Sequence, residues 1–191
     1  LRSGRKLVVL VQNNKGYAAL CELITKARRA GEKGSYELTR LDFESGLPGC
    51  LVLWVPDKDL SLDVEDHWIR ETFRDRLWIA VELLADGRQQ LQLDRLRAEG
   101  ERLKLPLVAC GDVHMHAKQC RALQDTLTAI RYNCSVMELG VRRFANAERR
   151  LRSLPHLKKL YPPALLAETL KIAQRCHFTL DELRYEYPDE V

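Results

Sequence analysis

The sequence predicts an α/β protein: the downstream part of a βα barrel over residues 1–117, then a helical tail over residues 118–191. Three observations carry this expectation. Short β-branched and leucine runs recur at Lys6–Gln12, Leu51–Val55, Leu77–Leu83 and Leu107–Cys110. Helical apolar spacing fills the intervals, the alternation from which parallel sheets and barrels are built. Beyond Gly111 no strand run follows before Tyr185.

Each element has its own reason. Lys6–Gln12 is an unbroken apolar run, the pattern of a strand covered on both faces. Asn13–Gly16 breaks it, and Leu20, Leu23, Ile24 and Ala27 then fall on one helical face within Tyr17–Arg29. Gly31 and Gly34 stop that helix, and Leu38–Phe43 reads as a short helical turn. Pro56 closes the second strand. Trp68, Ile69 and Phe73 mark one face of a helix over Glu65–Arg74. Leucines 91, 93, 96 and 103 recur along a polar helix, Gln89–Leu103, and Pro106 leads into the fourth strand. In the tail, Lys118–Arg131 is helical with Cys120, Leu123, Leu127 and Ile130 inward. Val136–Glu138 starts a short element. Pro162–Cys176 is a helix with Leu166, Leu170 and Ile172–Ala173 as its apolar side. Four βα units are too few to close an eight-unit barrel. The chain starts with Leu rather than Met, and a strand follows almost at once. The expectation is a piece of a longer polypeptide, its missing strands upstream.

Composition narrows the class. With 46% hydrophobic and 30% charged residues the chain is globular rather than disordered. No apolar run approaches the ~18–20 residues of a membrane-spanning helix. A net charge of +4 permits a polyanionic partner without requiring one. None of the six cysteines forms a C-x-x-C pair, so they read as reduced, buried thiols of a cytosolic protein. No Walker loop, G-x-S-x-G or dinucleotide fingerprint is present.

One segment carries candidate chemistry. Gly111-Asp112-Val113-His114-Met115-His116 follows the fourth strand, at the end where α/β folds place their sites. If the chain stays extended, Asp112, His114 and His116 alternate onto one face. A carboxylate and an imidazole so spaced can share a divalent metal that activates water for phosphate-ester hydrolysis. The competing reading is a hydrogen-bonded turn that starts the Lys118 helix. Glu82, inside the third strand, reads as a buried or rim carboxylate, and His67, His156 and His177 read as surface histidines. Between Arg142 and Lys159 stand seven Lys/Arg against one acid, Glu148. Arg142, Arg143, Arg149, Arg150 and Arg152 are therefore candidates for contact with a DNA backbone, against the alternatives of a solvated face or a contact with a neighbouring domain.

Several stretches together resemble a known family. They are KLVVLVQNNKGYAALCELITKARR at 6–29, LPGCLVLWVPD at 47–57, LPLVACGDVHMHAKQCRALQDTLTAIR at 105–131, FANAERRLR at 144–152 and YPPALLAETLKIAQRCHFTLDELRYEYPDE at 161–190. The chain resembles the PHP (polymerase and histidinol phosphatase) domain of bacterial C-family DNA polymerases, above all the error-prone paralogues of the replicative alpha subunit. The most specific parts are D-V-H-M-H joined to ALQDTLTAIR, and the ending ELRYEYP.

The resemblance implies a distorted seven-stranded βα barrel whose H-x-H and D-H metal motifs lie upstream. Asp112 and His114 match the family's late D-x-H ligand pair, so a divalent ion (Zn, Mn or Mg) is the implied cofactor there. Where the family's mid-domain histidine would follow the VEL strand, Leu83-Leu84-Ala85-Asp86-Gly87 stands instead. The parent implied is an error-prone, magnesium-using DNA-directed DNA polymerase in damage tolerance, working with DNA, a sliding clamp and mutagenesis accessory proteins. This part would be a scaffold, its tail leading toward the polymerase palm. The alternatives are a metal-dependent phosphoesterase or proofreading exonuclease, or the corresponding domain of the replicative subunit.

Overall fold

A computed structural model of the chain describes residues 6–56 and 67–184. Tyr185, where a further strand was expected to begin, lies outside the described residues. Among them are four strands and six α-helices: β1 (Lys6–Val11), α1 (Asn14–Ala30), β2 (Cys50–Val55), α2 (His67–Phe73), β3 (Leu77–Glu82), α3 (Gln89–Leu103), β4 (Leu107–Cys110), α4 (Arg121–Arg131), α5 (Leu154–Leu160) and α6 (Pro163–Ala173). The strands form one open sheet in the order β1-β2-β3-β4. Two compact units share the chain, the first up to Ile79 and again from Leu170, the second Ala80–Thr169.

In the first unit, β2 and β3 run parallel, with Leu53 opposite Trp78. β1 runs antiparallel to β2, with Lys6 opposite Val55 and Val11 opposite Cys50. This corrects the expectation of a wholly parallel arrangement. The cause is the connection. After α1 the chain returns beside the helix, where the Glu37 N–H donates to the Ala27 carbonyl at 3.0 Å, and delivers Gly49 to the end of β1. There the Gln12 N–H donates to the Gly49 carbonyl at 2.9 Å. β2 thus starts where β1 stops, as in a hairpin whose loop holds a helix. A Cβ on Gly16 would lie 2.0 Å from the Gly49 oxygen, so only glycine admits this approach. Asn13 caps α1, its Oδ1 accepting the Gly16 N–H at 3.1 Å.

β2 and β3 are the centre of the core. Their runs CLVLWV and LWIAVE are buried except at the last residue of each, as continuous apolar strands covered on both faces must be. Phe43, Trp68 and Phe73 pack together, with ring centroids 5.9 and 6.1 Å from Phe43. Arg76 ties the turn before β2, donating to the Leu47, Cys50 and Gly46 carbonyls at 2.7, 2.9 and 2.7 Å. β1 is an edge strand and only half covered, Val8 being exposed. The two-sided burial expected of it belongs to β2 and β3. Ile24 of α1 is likewise exposed, while Leu23 and Ala27 are buried. The cysteines depart from the burial expected of them: Cys50 alone is buried, Cys21 is exposed, and the other four are half-buried.

In the second unit, α3 buries Leu93, Leu96 and Leu103 and leaves Leu91 exposed. Lys104 ends the helix in the left-handed conformation at φ 55°, and Leu105 N–H closes on the Gly100 carbonyl at 2.9 Å. A helix absent from the expectation, α5, begins after Ser153 with Pro155 in its first turn. α4 turns its face the other way from the expectation. Asp125 and Ala129 are buried, whereas Leu123, Leu127 and Ile130 are exposed. Arg121 decides this orientation. It pairs with Asp125 at 3.2 Å and donates to the Phe144 carbonyl, which anchors the polar side inward. α6 runs from the second unit into the first; Leu165 in the second and Ile172 in the first are buried, and Leu170 is exposed.

Candidate functional site

The site lies in the second unit, at the C-terminal ends of β3 and β4. β4 finishes at Cys110, and Gly111 passes the chain to Asp112, which adopts φ +41°. This left-handed residue interrupts the extended course that would have set Asp112, His114 and His116 on one face. The chain straightens again at His114, whose N–H donates to the Arg149 carbonyl at 2.9 Å. The Met115 N–H reaches the same carbonyl at 3.1 Å, and the Leu151 N–H donates to the Met115 carbonyl at 3.1 Å. Residues 149–151 are thereby laid parallel to 114–115 through a Met115–Arg150 bridge.

That pairing delivers Arg149 to the acidic groups. Its guanidinium forms an ion pair with the Asp112 carboxylate, and Nη1 stands 3.9 Å from Glu82 Oε2. His114 Nε2 is 3.4 Å from Asp112 Oδ1. Phe144 completes the group: Arg149 lies over its ring at 4.8 Å, and the His114 ring is tilted against it at 4.9 Å. Burial lowers the Arg149 pKa from its ordinary value, and the nearby Glu82 charge partly opposes that shift. The structure therefore brings Asp112 and His114 together and parts them from His116, whose Nδ1 is 3.6 Å from Cys120 Sγ.

The rim is laced by the same segment. Asn146 Nδ2 donates to the Leu84 and Ala85 carbonyls at 2.5 and 3.3 Å, and Arg152 donates to the Leu83 carbonyl at 2.8 Å. Tyr161 is buried. Its hydroxyl donates to the Cys110 carbonyl at 2.5 Å and accepts the Leu83 N–H at 3.0 Å. Of the five arginines singled out as DNA contacts, Arg149 and Arg152 turn toward this rim. Arg150 sits 3.8 Å from Glu148 and donates to the Leu151 carbonyl. Arg142 is exposed over the Tyr132 ring at 4.4 Å, and Arg143 is exposed. His156 is 3.5 Å from Glu148, and His67 and His177 are exposed, as surface histidines should be.

Among the described residues no group of three or more His, Cys, Asp and Glu side chains could hold a divalent ion. The cation at the Asp112 carboxylate is a guanidinium. A second cation about 4 Å from it would meet a repulsion of about 4 kcal/mol per unit charge at an effective dielectric of 20. What the arrangement does is set one guanidinium on Asp112 and near Glu82 in a half-buried rim and lock residues 144–152 across the ends of two strands. Sequence reasoning named Arg149 as a DNA contact rather than as the partner of Asp112, and missed Phe144, Asn146 and Tyr161, because no local spacing links them to Asp112. Only the density of arginine in 142–152 marked the segment.

No family model matches the chain. It is 52% identical over 191 residues to the error-prone DNA polymerase of Pseudomonas fluorescens (strain Pf0-1), covering 100% of this chain and 18% of that protein. It is 50% identical over 192 residues to the error-prone DNA polymerase of Methylococcus capsulatus, again 100% and 18%. With the error-prone DNA polymerase of Dechloromonas aromatica the identity is 53% over 193 residues, 98% of this chain and 19% of the relative. The chain thus matches error-prone DNA polymerases along nearly its whole length, and spans under a fifth of the length of these curated relatives.

Proposed function

We propose that the chain is the downstream part of a PHP domain in an error-prone DNA-directed DNA polymerase, and that it serves there as a scaffold in damage-tolerant and repair synthesis. The observation that carries the scaffold role is the Arg149 guanidinium on the Asp112 carboxylate. Asp112 and His114 occupy the D-x-H position by resemblance, and their charge is balanced internally by a side chain. Whole-length similarity to proteins named error-prone DNA polymerase supports the parent activity. That activity, its magnesium, its DNA substrate, its cytoplasmic setting and its clamp and accessory partners belong to the whole polypeptide. Residues from 118 onward lead toward the palm. Arg142 and Arg143, exposed on the second unit, are the arginines best placed for a DNA backbone.

The test uses the full-length polypeptide carrying Asp112→Asn. Primer extension on undamaged and lesion-bearing templates stays within about twofold of the parent, as for a residue outside the chemistry. A phosphoesterase or 3′ exonuclease activity of the parent that disappears in Asp112→Asn would reject the scaffold and establish the metallo-hydrolase alternative.

A further inference from the structure

An amphipathic helix on a protein surface normally turns its apolar stripe to the core and its polar side to water. α4 does the reverse. Leu123, Leu127 and Ile130, spaced four and three apart and so on one face, are 60%, 53% and 69% exposed. Asp125 and Ala129 on the opposite face are buried. The inversion is fixed by named bonds, the Arg121–Asp125 pair and the Arg121 donation to Phe144. The 3-10 segment that follows, Val136–Arg142, buries Leu139 and leaves Met137 and Val141 exposed. Contiguous apolar surface of this kind marks an interface rather than a solvent face.

We infer that the outward face of α4 is a docking surface for another part of the same polypeptide, outside residues 1–191. The inference rests on the proposed membership of a longer polymerase. Two observations select this occupant. This chain is 18% of its relatives' length, so over four fifths of the polypeptide is tethered to α4, and tethering supplies an effective concentration that an untethered partner must exceed. The edge of the face is basic. Arg131, exposed, ends the helix beside Ile130. Of the local acids, Asp125 is buried on Arg121, and the exposed Glu138 accepts the Ser135 N–H. The complementary surface is therefore a leucine- or phenylalanine-rich ridge with a carboxylate border.

Hydroxyl-radical footprinting of the purified full-length polypeptide tests this. Oxidation of Leu123, Leu127 and Ile130 is read by peptide mass against the urea-unfolded protein. The expected result is about tenfold slower oxidation, unchanged on dilution. Leu127→Asp in the full-length protein restores fast oxidation at Leu123 and Ile130, while the α3 core residue Leu96 stays slow. Oxidation as fast as in the unfolded protein overturns the inference, since the face is then bare or kept for a separate protein. Protection that fades on dilution also overturns it, in favour of a second copy. Because the readout is independent of polymerase activity, failure of the proposed function and failure of this interface are told apart.

Discussion

Tyr161 and Cys110 are joined by a 2.5 Å hydrogen bond from the phenol to the last carbonyl of β4, while the same oxygen receives the Leu83 N–H just past β3. One buried side chain holds the ends of two strands. Tyr161→Phe leaves the Leu83 N–H and the Cys110 carbonyl without that hydroxyl. The expected loss is about 2 kcal/mol, read by denaturant unfolding. A loss below about 0.5 kcal/mol would mean that the hydroxyl contributes only packing.

The same tyrosine makes stability depend on alkaline pH. Burial raises its pKa above the ordinary 10.0, partly opposed by the Leu83 and Arg152 hydrogen bonds. The folded state therefore keeps its phenol proton at a pH where the unfolded state releases it. Stability is lost as pH rises through and beyond 10. Lysines and cysteines titrate there as well, so the quantity to measure is the difference between parent and Tyr161→Phe. That difference should change above pH 10 and stay flat below pH 9.

Arg149 and Asp112 should behave as one unit. Arg149→Met takes the guanidinium away from a half-buried carboxylate, and Asp112→Asn takes the carboxylate away from a half-buried guanidinium. Each should cost about 2 kcal/mol, less than a fully buried pair because both groups keep some water. The double variant should cost less than the sum by about 1–2 kcal/mol. Strict additivity would show that the two charges do not sense each other.

Two glycines make opposite demands. Gly16→Ala puts a Cβ 2.0 Å from the Gly49 carbonyl oxygen, backbone against backbone, and should cost about 3 kcal/mol or more. Gly100→Ala puts a Cβ 2.3 Å from Leu107 Cδ1, a side-chain end that can move, and 3.0 Å from the Leu105 carbonyl oxygen, in a helix that gains about 1 kcal/mol from alanine. The second substitution should be much the milder by thermal unfolding, and equal penalties would contradict the hairpin-like join of β1 and β2.

If Arg142 and Arg143 touch DNA, neutralising both in the full-length polypeptide lowers the slope of log K against log salt by about 2. An unchanged slope removes them as contacts.

The strands were legible because their apolar runs are continuous, and β2 and β3 fall within a residue of expectation. The antiparallel join of β1 was not. Direction is set by residues 31–49, an irregular stretch whose return beside α1 depends on the Gly16–Gly49 approach. Periodicity located the apolar stripe of α4 correctly, but a stripe does not say on which side the body lies. Here Arg121 and Asp125 outweighed three large apolar residues. Asp112 and His114 were found from their place after β4. Arg149 stood among the DNA-contact candidates, and its pairing with Asp112 was not legible, since it depends on a bridge between Met115 and Arg150 that no pattern within either segment encodes.

The backbone at residue 112 carries a selection of its own. With φ at +41°, the position suits glycine, asparagine and aspartate and penalises most other side chains, above all valine and isoleucine. Chain geometry thus narrows this position to a few short residues, and the Arg149 guanidinium then favours the acidic one among them.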